Sequence, residues 1–202
     1  MHWNIPRTVN SLFTGRTELL ETIEKALLSQ SSGNKNTQRI FVITGMGGQG
    51  KSEICLQVAN FVREKWASFL TSDYPTANRT RFWGVFWVDA SSPSTTESSF
   101  INIAKTIGSS VDKLPDPLQL LANTNKRWLL ILDNADDPTF DYQDYFPSGT
   151  NGMILMTSRV SECAQYGTVG AEALEGLDPK ASTHLLLKAA QIPKENWSSL
   201  GQ

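Results

Sequence analysis

Residues 40 to 52 read Ile-Phe-Val-Ile-Thr-Gly-Met-Gly-Gly-Gln-Gly-Lys-Ser. A short apolar run, Ile40 to Ile43, passes at once into a glycine-rich turn that ends in lysine and serine. Gly45 to Ser52 match the G-x-x-x-x-G-K-S pattern in full, the signature of a phosphate-binding P-loop. The chemistry explains each residue type. Glycines let the backbone curl until its N–H groups face an anion with no Cβ in the way. Lys51 brings a mobile charge to β- and γ-phosphates, and the Ser52 hydroxyl suits Mg²⁺. A helix starting near Lys51 adds the positive end of its dipole. With an apolar strand before it and a helix after it, the turn is expected to hold a nucleotide.

The flanking sequence supplies the rest of an α/β fold. Thr17 to Ser29 reads as an amphipathic helix with Leu19, Ile23 and Leu27 on one face, and Ser31 to Thr37 as a polar loop. After the turn, Cys55, Ala59, Val62, Trp66 and Phe69 recur at helical spacing to about Leu70. Thr71 to Thr80, with Pro75, reads as an exposed connection. Arg81 to Asp89 is a strand rich in valine and aromatics. Ser94 to Glu97 has the form of a capping box, opening a helix that buries Phe100, Ile103, Ala104 and Ile107. Pro115 and Pro117 break the chain before a short helix to Asn123.

Trp128 to Leu132 and Gly152 to Thr157 are continuous apolar strands of the kind buried on both faces. A weaker strand is expected over Thr168 to Leu174. Asp178-Pro179 then opens a last helix with Leu185, Leu186 and Ala189 facing inward. Alternating strands and helices predict a P-loop NTPase-type three-layer sandwich, a mostly parallel central sheet with helices on both faces. Ligands in such sheets sit at the carboxyl ends of the strands, where the P-loop, Asp89, Asp133 and Thr157 to Arg159 all fall.

Trp128 to Asp133 is an apolar strand ending in a carboxylate, the form of a Walker B strand. Asp133 there would hold Mg²⁺ beside Ser52. Met153 to Arg159 ends in an arginine whose planar guanidinium suits a γ-phosphate.

Composition narrows the class. The chain has 202 residues, enough for one domain with a sizeable core, and is 40% hydrophobic. A net charge of -2 and a pI near 5.7 argue against generic nucleic-acid binding. Cys55 and Cys163 have neither metal-ligand nor disulfide spacing and read as ordinary thiols of a reducing compartment. Pro6 and Arg7 come before any apolar stretch, so no signal peptide is expected near Met1, and no apolar run approaches the ~20 residues of a membrane span. A soluble, cytoplasmic protein without membrane or nucleic-acid partners is expected.

Five segments occur in order: Phe13-Thr14-Gly15-Arg16 before a helix, GMGGQGKS, Val85 to Ala90, WLLILDNADD and Met156 to Arg159. Together they resemble the NB-ARC branch of the STAND ATPases, the nucleotide-binding domain of NOD-like receptors, and its fungal members in particular. The resemblance runs from about Phe13 to Ala190. It implies an ATP- or ADP-binding, Mg²⁺-dependent triphosphatase that acts as the nucleotide switch of a receptor in signalling, innate immunity or self/non-self recognition. It also implies homo-oligomer partners and other domains of the same chain.

Residue by residue, Phe13, Thr14, Gly15 and Arg16 match the segment that packs beside adenine. Gly45, Met46, Gly47, Gly48, Gln49, Gly50, Lys51, Ser52 and Glu53 form the phosphate-binding turn and its helix start. Ser52 and Asp133 are the candidate metal ligands. Lys51, Asp133, Asp136, Asp137 and Arg159 are the candidate catalytic residues. Thr157 and Arg159 match the family's sensor motif, and Leu174 to Leu187 resemble the segment that precedes its next helical subdomain. Residues 1–15 form an N-terminal adenine-side segment, 16–192 the NTPase domain, and 193–202 the start of a following helical subdomain. The chain is thus expected to be a domain excised from a longer receptor.

Two departures from the family's pattern matter. A second acid often follows the Walker B aspartate and polarises the attacking water, yet here Asn134 follows Asp133. Asp136 and Asp137 are the nearest carboxylates, and a helix N-cap is an equal reading for Asp136. His184 lies too early to be the family's ADP-sensing histidine and reads as a packed or exposed helix residue. Two alternatives stay open: a nucleotide-binding oligomerisation module with negligible turnover, favoured by Asn134, and a nucleotide kinase that transfers the phosphoryl group to an acceptor.

Overall fold

The computed structural model describes residues 1–28, 37–70, 82–108 and 116–199. Its sheet has six strands: β1 (His2–Asn4), β2 (Arg39–Thr44), β3 (Phe82–Asp89), β4 (Arg127–Asp133), β5 (Gly152–Ser158) and β6 (Gly170–Ala173). They lie in the order β1-β3-β4-β5-β2-β6, and each neighbouring pair is parallel. Among the described residues, five α-helices accompany them: α1 (Thr17–Leu28), α2 (Lys51–Leu70), α3 (Pro93–Thr106), α4 (Asp116–Asn123) and α5 (Pro179–Ala189). The predicted α/β sandwich is the fold observed.

Side chains on a strand alternate between faces, and the two cores follow that alternation. On one face Leu129, Ile131, Met153, Leu155 and Ile43 pack with Ile23 and Leu27 of α1 and with Ile54, Cys55 and Val58 of α2. On the other, Phe86, Leu130, Leu132, Ile154 and Met156 pack with Phe100 and Ile103 of α3 and Leu121 of α4. With both faces covered, Trp128 to Leu132 are fully buried, as their unbroken apolar run requires. The chain advances from β3 through β4 to β5 and then crosses β2 to form β6. The P-loop therefore leaves β2 where the strand order reverses, the usual place for a ligand crevice.

Several elements differ from the sequence reading. The box that opens α3 is Ser92/Thr95, two residues before the expected Ser94/Glu97: Thr95 N donates to Ser92 Oγ at 3.2 Å and Ser92 N to Thr95 Oγ1 at 3.0 Å. Pro93, with fixed φ and no N–H, suits the first helical position and moves the cap to Ser92. In α5, Ala181 and Leu187 are buried while Leu186 is 70% exposed and Ala189 faces out. A run of three leucines gives spacing no means of choosing the inward one. β1 was not expected, and it pairs with β3 through His2↔Gly84 to Asn4↔Phe86.

Ser29, most of the Ser31 to Thr37 loop, the Thr71 to Thr80 connection, Arg81, Pro115 and the side chains of Trp66 and Phe69 lie outside the described residues. Among the described residues, no helix is long and apolar enough to cross a membrane.

Candidate functional site

The glycine turn continues the ladder of β2, with Gly45 N donating to Ser158 O at 3.1 Å. Gly45, Gly48 and Gly50 have φ of +143°, +81° and +91°, values that only glycine adopts readily. Nothing lies within 4 Å of the Cβ position at Gly48 or Gly50, so the turn is open above them. A Cβ on Gly45 would instead sit 2.6 Å from Leu174 O. Lys51 is 9% exposed, and its Nζ donates to Gly45 O at 2.6 Å and Met46 O at 2.9 Å. Loss of solvent lowers its pKa, opposed by Asp136 and Asp133 and assisted by Arg159. Met46 is exposed at the tip of the turn. Gln49 folds inward, and among the described residues its Oε1 is buried without a hydrogen-bond partner.

Asp133 ends β4 and is 5% exposed. Its Oδ1 accepts from Ser52 Oγ at 2.8 Å and from Thr157 Oγ1 at 2.6 Å. The carboxylate and the Ser52 hydroxyl, both hard oxygens, fit Mg²⁺, which takes one or two protein ligands and completes its shell with phosphate and water. Among the described residues, no three His, Cys, Asp or Glu side chains gather into a metal cluster. Asn134 has φ +63°, a left-handed conformation that asparagine tolerates better than most residues. Its N–H donates to Thr157 Oγ1 at 3.1 Å, so one hydroxyl ties the ends of β4 and β5 together.

The other candidate acids hold partners of their own. Asp136 receives Arg159 N at 2.7 Å on Oδ1 and Arg159 Nε at 3.0 Å on Oδ2. It caps no helix and fixes Arg159, whose guanidinium carbon lies 3.5 Å from the Cβ position of Gly47. Asp137 Oδ1 accepts from Thr139 N at 2.9 Å and Thr139 Oγ1 at 2.7 Å, and these bonds lower its pKa.

Two clefts flank the turn. One, of about 480 Å³, runs between Leu12, Phe13 and Thr14, the Gly48 to Gly50 turn, and Leu177 and Leu185. Lys188 of α5 ties its N-terminal wall in place by donating to Phe13 O at 3.0 Å and Thr14 Oγ1 at 2.9 Å. Glu53 anchors the same N-terminal segment, accepting from Asn10 N at 2.7 Å and Arg7 Nη1 at 2.9 Å. Gly15 and Arg16 follow with φ of +76° and +62° to enter α1, and Arg16 Nη2 donates to Glu175 O. Arg16 reaches this cleft, whereas Gly15 lines a neighbouring polar one. The second cleft beside the turn, of about 410 Å³, gathers Ser52, Asp133, Asn134, Asp89, Trp87 and Arg7. His184 packs against Trp197, the rings tilted by 36° with centroids 5.1 Å apart, a packed helix residue. Both cysteines are buried and free.

Sequence reasoning missed the ties of Lys188, Arg7 and Asn10. Nothing local marks a lysine whose partner lies 174 residues away. It placed Asp89 at the sheet's ligand edge without giving it a role.

No protein-family model matches the chain. Over 188 residues, 82% of this chain, it is 31% identical to a nucleotide-binding leucine-rich repeat (NLR)-like protein of Hyaloscypha variabilis. The chain spans 17% of that relative. Among solved structures it is similar to the ORC2 protein of Aeropyrum pernix, solved as ADPNP–ADP complexes (TM-score 0.59, 14% identity, 93% of this chain and 54% of that one). It is also similar to a chain of Drosophila ORC bound to DNA (TM-score 0.58, 10% identity, 95% of this chain and 49% of that one). The fold and the glycine turn define a P-loop NTPase-type α/β domain. The NLR-like relative bears out the resemblance to the NB-ARC/STAND domains of NOD-like receptors that the order of motifs carries.

Proposed function

We propose that this chain is an ATP-binding, Mg²⁺-dependent triphosphatase domain, the nucleotide switch of an NLR-like receptor. One observation carries the reading: the Ser52 and Thr157 hydroxyls converge on Asp133 beside an open glycine turn whose lysine is already poised over it. The adenine ring would enter the cleft of Phe13, Thr14 and Leu185, and the phosphates would lie over Gly48 to Lys51. That a fold relative was solved with adenine nucleotides supports the base assignment. Residues 1–15 would serve as the base-side strap, 16–192 as the NTPase domain and 193–202 as the approach to a further subdomain.

The chemistry follows from charge. Lys51 exchanges two neutral carbonyls for anionic phosphate oxygens, which make stronger hydrogen bonds. Ser52 and Asp133 would hold Mg²⁺, which when bound supplies charge neutralisation on the phosphate oxygens. A γ-phosphate would compete with Asp136 for Arg159, so triphosphate and diphosphate would leave different contacts at the end of β5. That difference biases the open, assembling state against the closed one.

Lys51→Ala should weaken ATP binding by about 10²-fold, through loss of a buried charge and its hydrogen bonds. Calorimetry showing unchanged affinity would defeat the assignment. A second reading, a nucleotide-binding oligomerisation module with negligible turnover, is favoured by the Asp136–Arg159 pair, which leaves Asp136 occupied. Phosphate release from the purified domain separates the two.

A further inference from the structure

Hydrolysis needs a group that orients water and takes its proton, and the acids beside β4 are not placed for it. Asp133 holds two hydroxyls, Asp136 holds Arg159, and Asp137 is bonded to Thr139. Neither Asp136 nor Asp137 lines the cleft that contains Ser52 and Asp133, but Asp89 does. β3 and β4 run in parallel register with Asp89 opposite Asp133. Alternation then puts both carboxylates on the face of Val85 and Leu129, the one packed against α2, whose first turn carries Ser52.

Asp89 Oδ1 accepts from Ser91 N at 3.1 Å, which holds one of the two carboxyl oxygens. Among the described residues, no hydrogen bond reaches Oδ2. Asn4, Ser99, Asn102 and Asn134 line the same cleft and supply polar groups that can hold a water there.

The geometry points to Asp89 as the carboxylate that activates the attacking water, on the far side of Asp133 from the P-loop strand. The assignment rests on the triphosphatase reading and deepens it. In the step, a water oxygen bonds to the γ-phosphorus while the bond to the β–γ bridging oxygen breaks, its electron pair leaving with ADP. Asp89 accepts the proton that the water loses and later returns it to solvent or phosphate. A carboxylate on the neighbouring strand removes the need for an acid at position 134, where the left-handed backbone suits asparagine.

The test compares wild-type and Asp89→Asn chains with ATP and Mg²⁺. It reads ATP affinity by calorimetry, the identity of the nucleotide still bound after long incubation, and single-turnover phosphate release. Asparagine keeps the oxygen that accepts from Ser91, so the turn is preserved. Unchanged affinity, retained triphosphate where the wild type holds diphosphate, and release slower by about 10²-fold are expected. Asp89→Glu restores a carboxylate and should recover part of the rate. Equal release by wild type and Asp89→Asn overturns the assignment, as does a loss of rate matched by a loss of ATP affinity. Binding without any release in the wild type overturns it too. A wild-type chain that binds no ATP overturns the triphosphatase reading, and this assignment with it.

Discussion

Asn134 is where a single residue's backbone and the chemistry of the site meet. Its φ of +63° costs little for asparagine and about 1–2 kcal/mol for most side chains with a Cβ. Chemical denaturation should find Asn134→Gly close to neutral and Asn134→Val destabilised by about that amount. Tyr142 offers a second test at this scale. It is buried, its hydroxyl accepts from Asp137 N at 3.0 Å, and burial pushes its pKa from 10.0 to about 12. The folded state thus favours the neutral phenol. The stabilisation is full below pH 10 and is lost as pH rises towards about 12. Burial raises the Tyr145 and Tyr166 phenols as well, so an ultraviolet titration of the native protein should show a group of late-ionising tyrosines, and Tyr142→Phe should remove the share of that amplitude that titrates towards about 12.

Among the elements, the start of α3 and the β4–β5 contact are most open to experiment. Ser92 caps α3, whereas Ser94 lies inside its first turn. Ser92→Ala should cost about 1 kcal/mol. Ser94→Ala should cost less, and equal costs by denaturant titration would argue against the Ser92 cap. Gly152 begins β5 directly against the Trp128 indole, which donates Nε1–H to Leu121 O at 2.9 Å and ties β4 to α4. A Cβ at 152 would overlap that ring. Gly152→Ala should therefore destabilise the fold by about 1–3 kcal/mol through overpacking, measured as a lower denaturation midpoint at constant slope.

At the scale of the whole molecule, contacts distant in sequence hold the N-terminal wall of the cleft lined by Phe13, Thr14 and Leu185. Glu53, next to Ser52, holds the N-terminal segment at Arg7 and Asn10, and Lys188 holds it at Phe13 and Thr14. β1 adds a third anchor by pairing with β3. If that strap positions the base, Lys188→Met should lower ATP affinity about tenfold, the equivalent of about 1.4 kcal/mol of lost hydrogen bonding. Calorimetry would check this on protein whose melting is unchanged. Undiminished affinity would mean that the strap keeps its place without α5.

The sequence by itself determined the strand–turn–helix of the P-loop, the buried parallel strands and the carboxylate that ends β4. Those features are local: glycines at fixed offsets, unbroken apolar runs and a carboxylate at a strand's end each have one physical reading within a dozen residues. Ile23 and Leu27, Phe100 and Ile103, and the Asp178 cap were legible for the same reason. The tertiary structure alone decided which partner each acid meets. Asp136 meets Arg159 across 23 residues, and Asp89 meets the Ser52 cleft only through sheet register. It also chose Leu187 over Leu186, since only the neighbouring surface distinguishes adjacent leucines. A side chain's type fixes what it can bond, but the folded chain fixes which partner reaches it first, and that competition leaves no local trace.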